Sequence, residues 1–131
     1  MPFRTELKTD WVENFDRIIL ENPLEYWDER SHQLFVIPEG FVTDCASIPQ
    51  FLWSVLGHPF GKNIRKASTL HDFLYRNNVV KRKVADQMFY DALVDEGMDQ
   101  DRAQVYYSGV RIGGSKAYQK GEEICDIFIP Y

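Results

Sequence analysis

Arg82-Lys83-Val84-Ala85-Asp86-Gln87-Met88-Phe89-Tyr90-Asp91-Ala92-Leu93-Val94-Asp95-Glu96-Gly97 is the run that decides the fold of this chain. Val84, Ala85, Met88, Phe89, Ala92 and Leu93 recur with helical period, which predicts a helix from about Arg82 to Glu96. Gly97 stops it. Asp86 lies on the flank of the apolar stripe, on the side of Phe89 and Leu93, where a carboxylate can reach a neighbouring helix.

Downstream, Asp99 is an N-cap for a helix running to about Ile112, ended by Gly113-Gly114. Upstream, a helix starts near Asn63, itself an acceptable cap, and reaches about Asn77. Before it, Ser47-Ile48-Pro49-Gln50 has the form of a capping box with proline in the first turn. That predicts a further helix to about Leu56, with Gly57-His58-Pro59-Phe60-Gly61 as the loop after it.

The first 45 residues read differently. Phe3 to Lys8, Phe15 to Leu20 and Leu34 to Ile37 are short strand candidates, and Glu25 to Trp27 completes a meander. Asn22-Pro23 and Pro38-Glu39-Gly40 supply the turns. The expected fold is α+β: an N-terminal antiparallel β-meander packed on three to four C-terminal helices, including an antiparallel helix pair. It is expected to be one domain over residues 1–131, β-rich to about 45, helical over 46–114, with a tail at 115–131. The apolar, β-prone stretch Ile124 to Ile129 in that tail could dock as an edge strand or reach a partner.

A net charge of −5 and a pI near 5.1 give no global electrostatic case for nucleic-acid binding. The one basic run, Lys81-Arg82-Lys83, reads as a solvated turn. Cys45 and Cys125 are too few for a disulfide framework and fit no zinc spacing, so two reduced thiols are expected. No apolar run approaches bilayer length and no signal peptide is evident, so synthesis in a cytoplasm without export is the expectation.

Chemistry concentrates in Leu70-His71-Asp72-Phe73-Leu74-Tyr75. On a helix His71 and Tyr75 share a face, and Asp72 lies about 100° round. Asp86, on a helix joined by a short loop, can reach the imidazole. A histidine backed by a carboxylate is an oriented general base, and a second carboxylate beside it can hold a hard cation. The same three residues can equally form a satisfied buried hydrogen-bond network with no turnover. Asp44 and Ser47, in Thr43-Asp44-Cys45-Ala46-Ser47, are read as turn and helix-capping acceptors, and Ser47 is not read as a nucleophile. Cys45 reads as a packed small side chain; His32 and His58 read as surface residues.

His71-Asp72-Phe73-Leu74-Tyr75-Arg76-Asn77, followed by Ala85-Asp86-Gln87-Met88-Phe89-Tyr90, resembles the catalytic helix pair of secretory phospholipases of type A-two. The bacterial enzymes and the parvovirus capsid version are nearest in pattern. That resemblance implies His71 as the base that activates water, Asp72 as a calcium ligand, Asp86 as the orienter of His71, and Tyr75 bonding Asp86. Two features depart from that family: Leu74 stands where it carries a cysteine, and Gly57 to Gly61 lacks its Tyr-Gly-x-Gly loop.

A longer pattern runs through Val36-Ile37-Pro38-Glu39-Gly40-Phe41-Val42-Thr43-Asp44, Ala46-Ser47-Ile48-Pro49, His71-Asp72-x-Leu74-Tyr75, Ala85-Asp86 and Gly97. It resembles a small family of unknown function found mostly in tailed bacteriophages and prophages. The resemblance implies a virion- or tail-associated structural component, made in the bacterial host cytoplasm and contacting other phage virion or tail proteins. The alternative, implied by the phospholipase resemblance, is a His/Asp-dependent hydrolase acting on membrane lipid or another ester during phage entry or release, with calcium as its cofactor.

Overall fold

The computed structural model describes residues 2–11, 17–43, 64–114 and 118. It divides into two compact units, Met1–Asp44 and Cys45–Tyr131. The class is α+β: antiparallel strands in the first unit, three described helices in the second.

The strands are β1 (Thr9–Trp11), β2 (Ile18–Leu20), β3 (Leu24–Asp28), β4 (Gln33–Ile37) and β5 (Val42–Thr43). They form two sheets. One has the order β1-β2-β5 and the other is the β3-β4 hairpin, so β2 pairs past the hairpin with β5. Alternation explains the hairpin: Leu24, Tyr26, Phe35 and Ile37 are buried while Glu25, Trp27, Leu34 and Val36 face outward or are half-buried. The strand expected over Phe3 to Lys8 is displaced to Thr9–Trp11. Among the described residues Phe3 pairs with Tyr26 as an isolated bridge outside the strands, and its ring packs 4.9 Å from the Tyr26 ring. Backbone hydrogen bonds from Arg4 N to Glu25 O and from Trp27 N to Pro2 O flank that bridge, while the continuous ladder belongs to the residues that lie opposite β2.

The helices are α1 (Arg65–Arg76), α2 (Arg82–Asp95) and α3 (Gln100–Gly113). Every residue of α1 from Ala67 to Tyr75 is buried, as in a helix surrounded by core. It ends at Asn77 and Asn78, whose side-chain amides donate to the carbonyls of Phe73 and Tyr75 at 3.1 and 3.2 Å. Asn78 sits at φ 47°, the left-handed region that asparagine tolerates. The stop expected at Gly97 is present, at φ +101°, and Asp99 caps α3 by accepting from the Arg102 amide at 2.9 Å. The helix expected over Ser47 to Leu56, and the Asn63 cap, lie outside the described residues.

α1 and α2 run antiparallel. Lys66, early in α1, meets Glu96 beyond the end of α2, whereas His71 and Tyr75, late in α1, meet Asp86 early in α2. α2 and α3 are antiparallel by the same logic: Arg82 donates to the carbonyls of Val110 and Arg111, while Phe89 meets Tyr106 edge-on further along. One stripe residue departs from expectation. Val84 is 41% exposed, whereas Ala85, Asp86, Met88, Phe89, Ala92 and Leu93 are buried. At 3.6 residues per turn Val84 falls just outside one edge of that arc, beyond Met88, and Asp86 forms its opposite edge, beside Leu93.

Candidate functional site

Asp86 occupies a position in the buried arc of α2 that an apolar residue would ordinarily take, with none of its side chain exposed. A buried carboxylate must be compensated, and three side chains do this. His71 Nε2 lies 2.7 Å from Oδ1, the Tyr75 hydroxyl donates to the same oxygen at 2.5 Å, and Arg111 Nη1 donates to Oδ2 at 2.8 Å. Two donors come from α1 and one from α3, so Asp86 ties its own helix to both neighbours.

Burial by itself would raise the Asp86 carboxyl, but the hydrogen bonds from His71, Tyr75 and Arg111 outweigh it and hold the group below its ordinary value. It is therefore an anion, and His71 Nε2 carries the proton it accepts. Burial, then the hydrogen bond to the Asp86 anion, push the Tyr75 phenol well above its usual range. Tyr75 is a permanent donor here. The His71 ring packs against two others, with centroids 4.1 Å from Tyr75 and 4.8 Å from Phe89. Its plane is thus fixed by packing as well as by the hydrogen bond.

The bond expected between His71 and Asp86, and the one between Tyr75 and Asp86, are both present. Asp72 is buried on α1 about a quarter-turn away, with Arg76 Nη1 3.7 Å from its carboxylate. A calcium ion takes about six to eight oxygens. Among the described residues no group of three or more His, Cys, Asp or Glu is placed to hold a metal. Asp72 beside a guanidinium does not make a calcium site by itself. The other expected contributors, Asp44, Ser47 and the loop Gly57 to Gly61, lie outside the described residues, as do Cys45, His58 and Cys125. His32 is exposed, in the turn of the β3-β4 hairpin.

Sequence reasoning missed Arg111, Arg82 and Gly114. Arg111 could be read only as a favourable cation in the last turn of α3; nothing local links it to Asp86. Arg82, read as part of a solvated basic run, instead caps α3 through the carbonyls of Val110 and Arg111. Gly114 gives clearance: a Cβ there would stand 2.8 Å from the Tyr75 hydroxyl and 2.5 Å from the Val110 carbonyl. Beyond it, Tyr118 packs edge-on against Tyr75 at 5.4 Å, its hydroxyl donates to Val80 O, and its own carbonyl accepts from Asn78. These contacts close the turn between α1 and α2.

Two curated proteins of Sinorhizobium fredii (strain NBRC 101917 / NGR234) are similar to this chain. The uncharacterized protein y4jT is 30% identical over 88 residues, 67% of this chain and 26% of that protein. The uncharacterized protein y4iH is 28% identical over 74 residues, 56% of this chain and 31% of that protein. The similarity thus spans less than a third of the length of either relative. No solved structure matches the chain at a significant level. A family model described as protein of unknown function, DUF1353, matches residues 18–110, which takes in β2 to β5 and all three described helices up to Val110; the chain belongs to the DUF1353 family.

Proposed function

We propose that this chain is a structural, protein-contacting component of tailed-phage or prophage particles, with its helical unit pinned by the His71–Asp86 centre. The observation that carries the structural reading is the engagement of both Asp86 carboxylate oxygens in the buried interior. Both carboxylate oxygens accept from side chains on neighbouring helices, and His71, Asp72 and Asp86 are all buried. A polar centre of this kind specifies one arrangement of three helices. Val105 and Ile112, 47% and 80% exposed on α3, offer apolar area to a partner protein. The particle assignment, with virion or tail proteins as partners and no nucleic acid, rests on the sequence pattern from Val36 to Gly97. The greater length of the two relatives suits a module used within larger assemblies. The test is to purify particles from a lysogen carrying the gene and probe the density-gradient fractions. The chain should co-sediment with particles; its recovery wholly in the soluble lysate would end the proposal.

A second reading, a His/Asp-dependent hydrolase acting on lipid or another ester, is favoured by one observation. His71 is held by Asp86 through Nε2, its plane is set by two aromatic rings, and Asp72 lies beside it, which is the arrangement of an oriented base. Wild type and His71→Ala are compared on phospholipid mixed micelles, with calcium and with chelator. Release that the substitution abolishes establishes this reading, and equal background release in all four conditions removes it.

A further inference from the structure

We infer that Arg111 is a positioning residue for His71, acting through Asp86: it engages Oδ2 and so presents Oδ1 to His71 Nε2 and the Tyr75 hydroxyl together. In its bearing on turnover this deepens the hydrolase reading and rests on it.

The terminal torsion of an aspartate is broad and nearly two-fold. With two donors alone, the Asp86 carboxylate could rotate and divide its oxygens between them. The Arg111 N–H at 2.8 Å removes that freedom by claiming Oδ2 from the far side. The charge comes from the edge of the site: the Arg111 side chain is 32% exposed, whereas that of Asp86 is fully buried. A guanidinium that keeps part of its hydration is a less costly counter-ion than one buried outright.

The end of α3 that bears Arg111 is itself held. Arg82, four residues before Asp86, donates to the carbonyls of Val110 and Arg111. α2 therefore grips the last turn of α3 through Arg82, and α3 grips α2 through Arg111. Gly114, three residues on, leaves room for the Tyr75 hydroxyl that shares Oδ1. With Nε2–H donated to the fixed carboxylate, Nδ1 is the ring nitrogen that the hydrolase reading assigns to proton transfer. That assignment requires one tautomer, and Arg111, by holding Oδ2, favours it.

The test is long-range proton–nitrogen NMR of the histidine side chains in the full chain, with His71 assigned by loss of its signals in His71→Ala. Wild type should show a single Nε2–H tautomer with a slowly exchanging, downfield proton. Arg111→Met keeps the aliphatic stem; it should broaden or shift that signature while the backbone spectrum stays folded. Arg111→Lys, which returns a cation to the same edge, should restore it at least in part. A His71 signature unchanged in Arg111→Met overturns the inference. In fatty-acid release from phosphatidylcholine–detergent micelles, Arg111→Met should lower kcat by about tenfold or more with KM held, within the about 10²–10⁴-fold that a general base contributes. Wild type without release ends the hydrolase reading alone, because the spectra still decide the role of Arg111.

Discussion

Replacing Asp86 by asparagine perturbs the centre with little change of shape. The amide would be neutral and would keep one acceptor oxygen against three donors, which in the native chain stand 2.7, 2.5 and 2.8 Å from the carboxylate. Whichever way the amide turns, its NH2 takes the place of an acceptor oxygen. Facing it toward His71 and Tyr75 takes from both the acceptor they now use and forces the other tautomer on the imidazole, about 1–3 kcal/mol for each buried hydrogen bond lost. Facing it toward Arg111 is cheaper, because that side chain is 32% exposed and can turn to water. The expected loss for Asp86→Asn is therefore about 2–3 kcal/mol, below the about 3–5 kcal/mol for breaking a buried ion pair outright. Asp86→Ala, which removes every acceptor, should fall in that higher range. Urea unfolding measures both, and the midpoint should move at unchanged slope. A cycle with Tyr75→Phe should give a coupling of about 0.5–3 kcal/mol. If Asp86→Asn stays within the about 0.5 kcal/mol typical of surface substitutions, the centre does not hold the helices and the reasoning is refuted.

The two titrating groups give opposite pH dependences. Asp86 is lowered in the fold, so its contribution is present above the unfolded value of about 3.9 and is lost as pH falls through the folded value; acid unfolding of Asp86→Asn should be correspondingly flatter below about pH 4. Tyr75 is raised, so its contribution is present below about pH 10 and is lost as pH climbs above it; Tyr75→Phe should blunt the alkaline loss. Asp99→Ala removes the side-chain cap of α3 and should cost about 1 kcal/mol by thermal or urea unfolding. Gly114→Ala drives a methyl against the Tyr75 hydroxyl and the Val110 carbonyl and should cost about 1–3 kcal/mol, less when Tyr75 is already Phe; an unchanged stability would mean that the end of α3 is not pressed on Tyr75.

The helical half was legible wherever its signal is local. The Asp99 cap, the Gly97 stop and the four-residue spacing of His71 and Tyr75 each act within about one turn, and the structure keeps all three. The His71–Asp86 bond was legible for a related reason. Two helices joined by a short loop must run antiparallel, and a polar flank residue early in the second then faces the end of the first.

What only the tertiary structure decided depends on residues distant in sequence. The pairing of Ile18–Leu20 with Val42–Thr43 passes over a whole hairpin, and periodicity says nothing about which strand lies beside which. The shift of the first strand from Phe3–Lys8 to Thr9–Trp11 follows from where β2 offers its free edge, not from β-propensity. Arg111 is 25 residues from Asp86, and Arg82 is 28 from Val110. The sequence of α2 by itself determined that a carboxylate stands on the flank of the apolar stripe; its full burial was decided by packing. Which cation meets it depends on the angle at which α3 returns, because a buried charge takes its partner from whatever packing brings within hydrogen-bond reach.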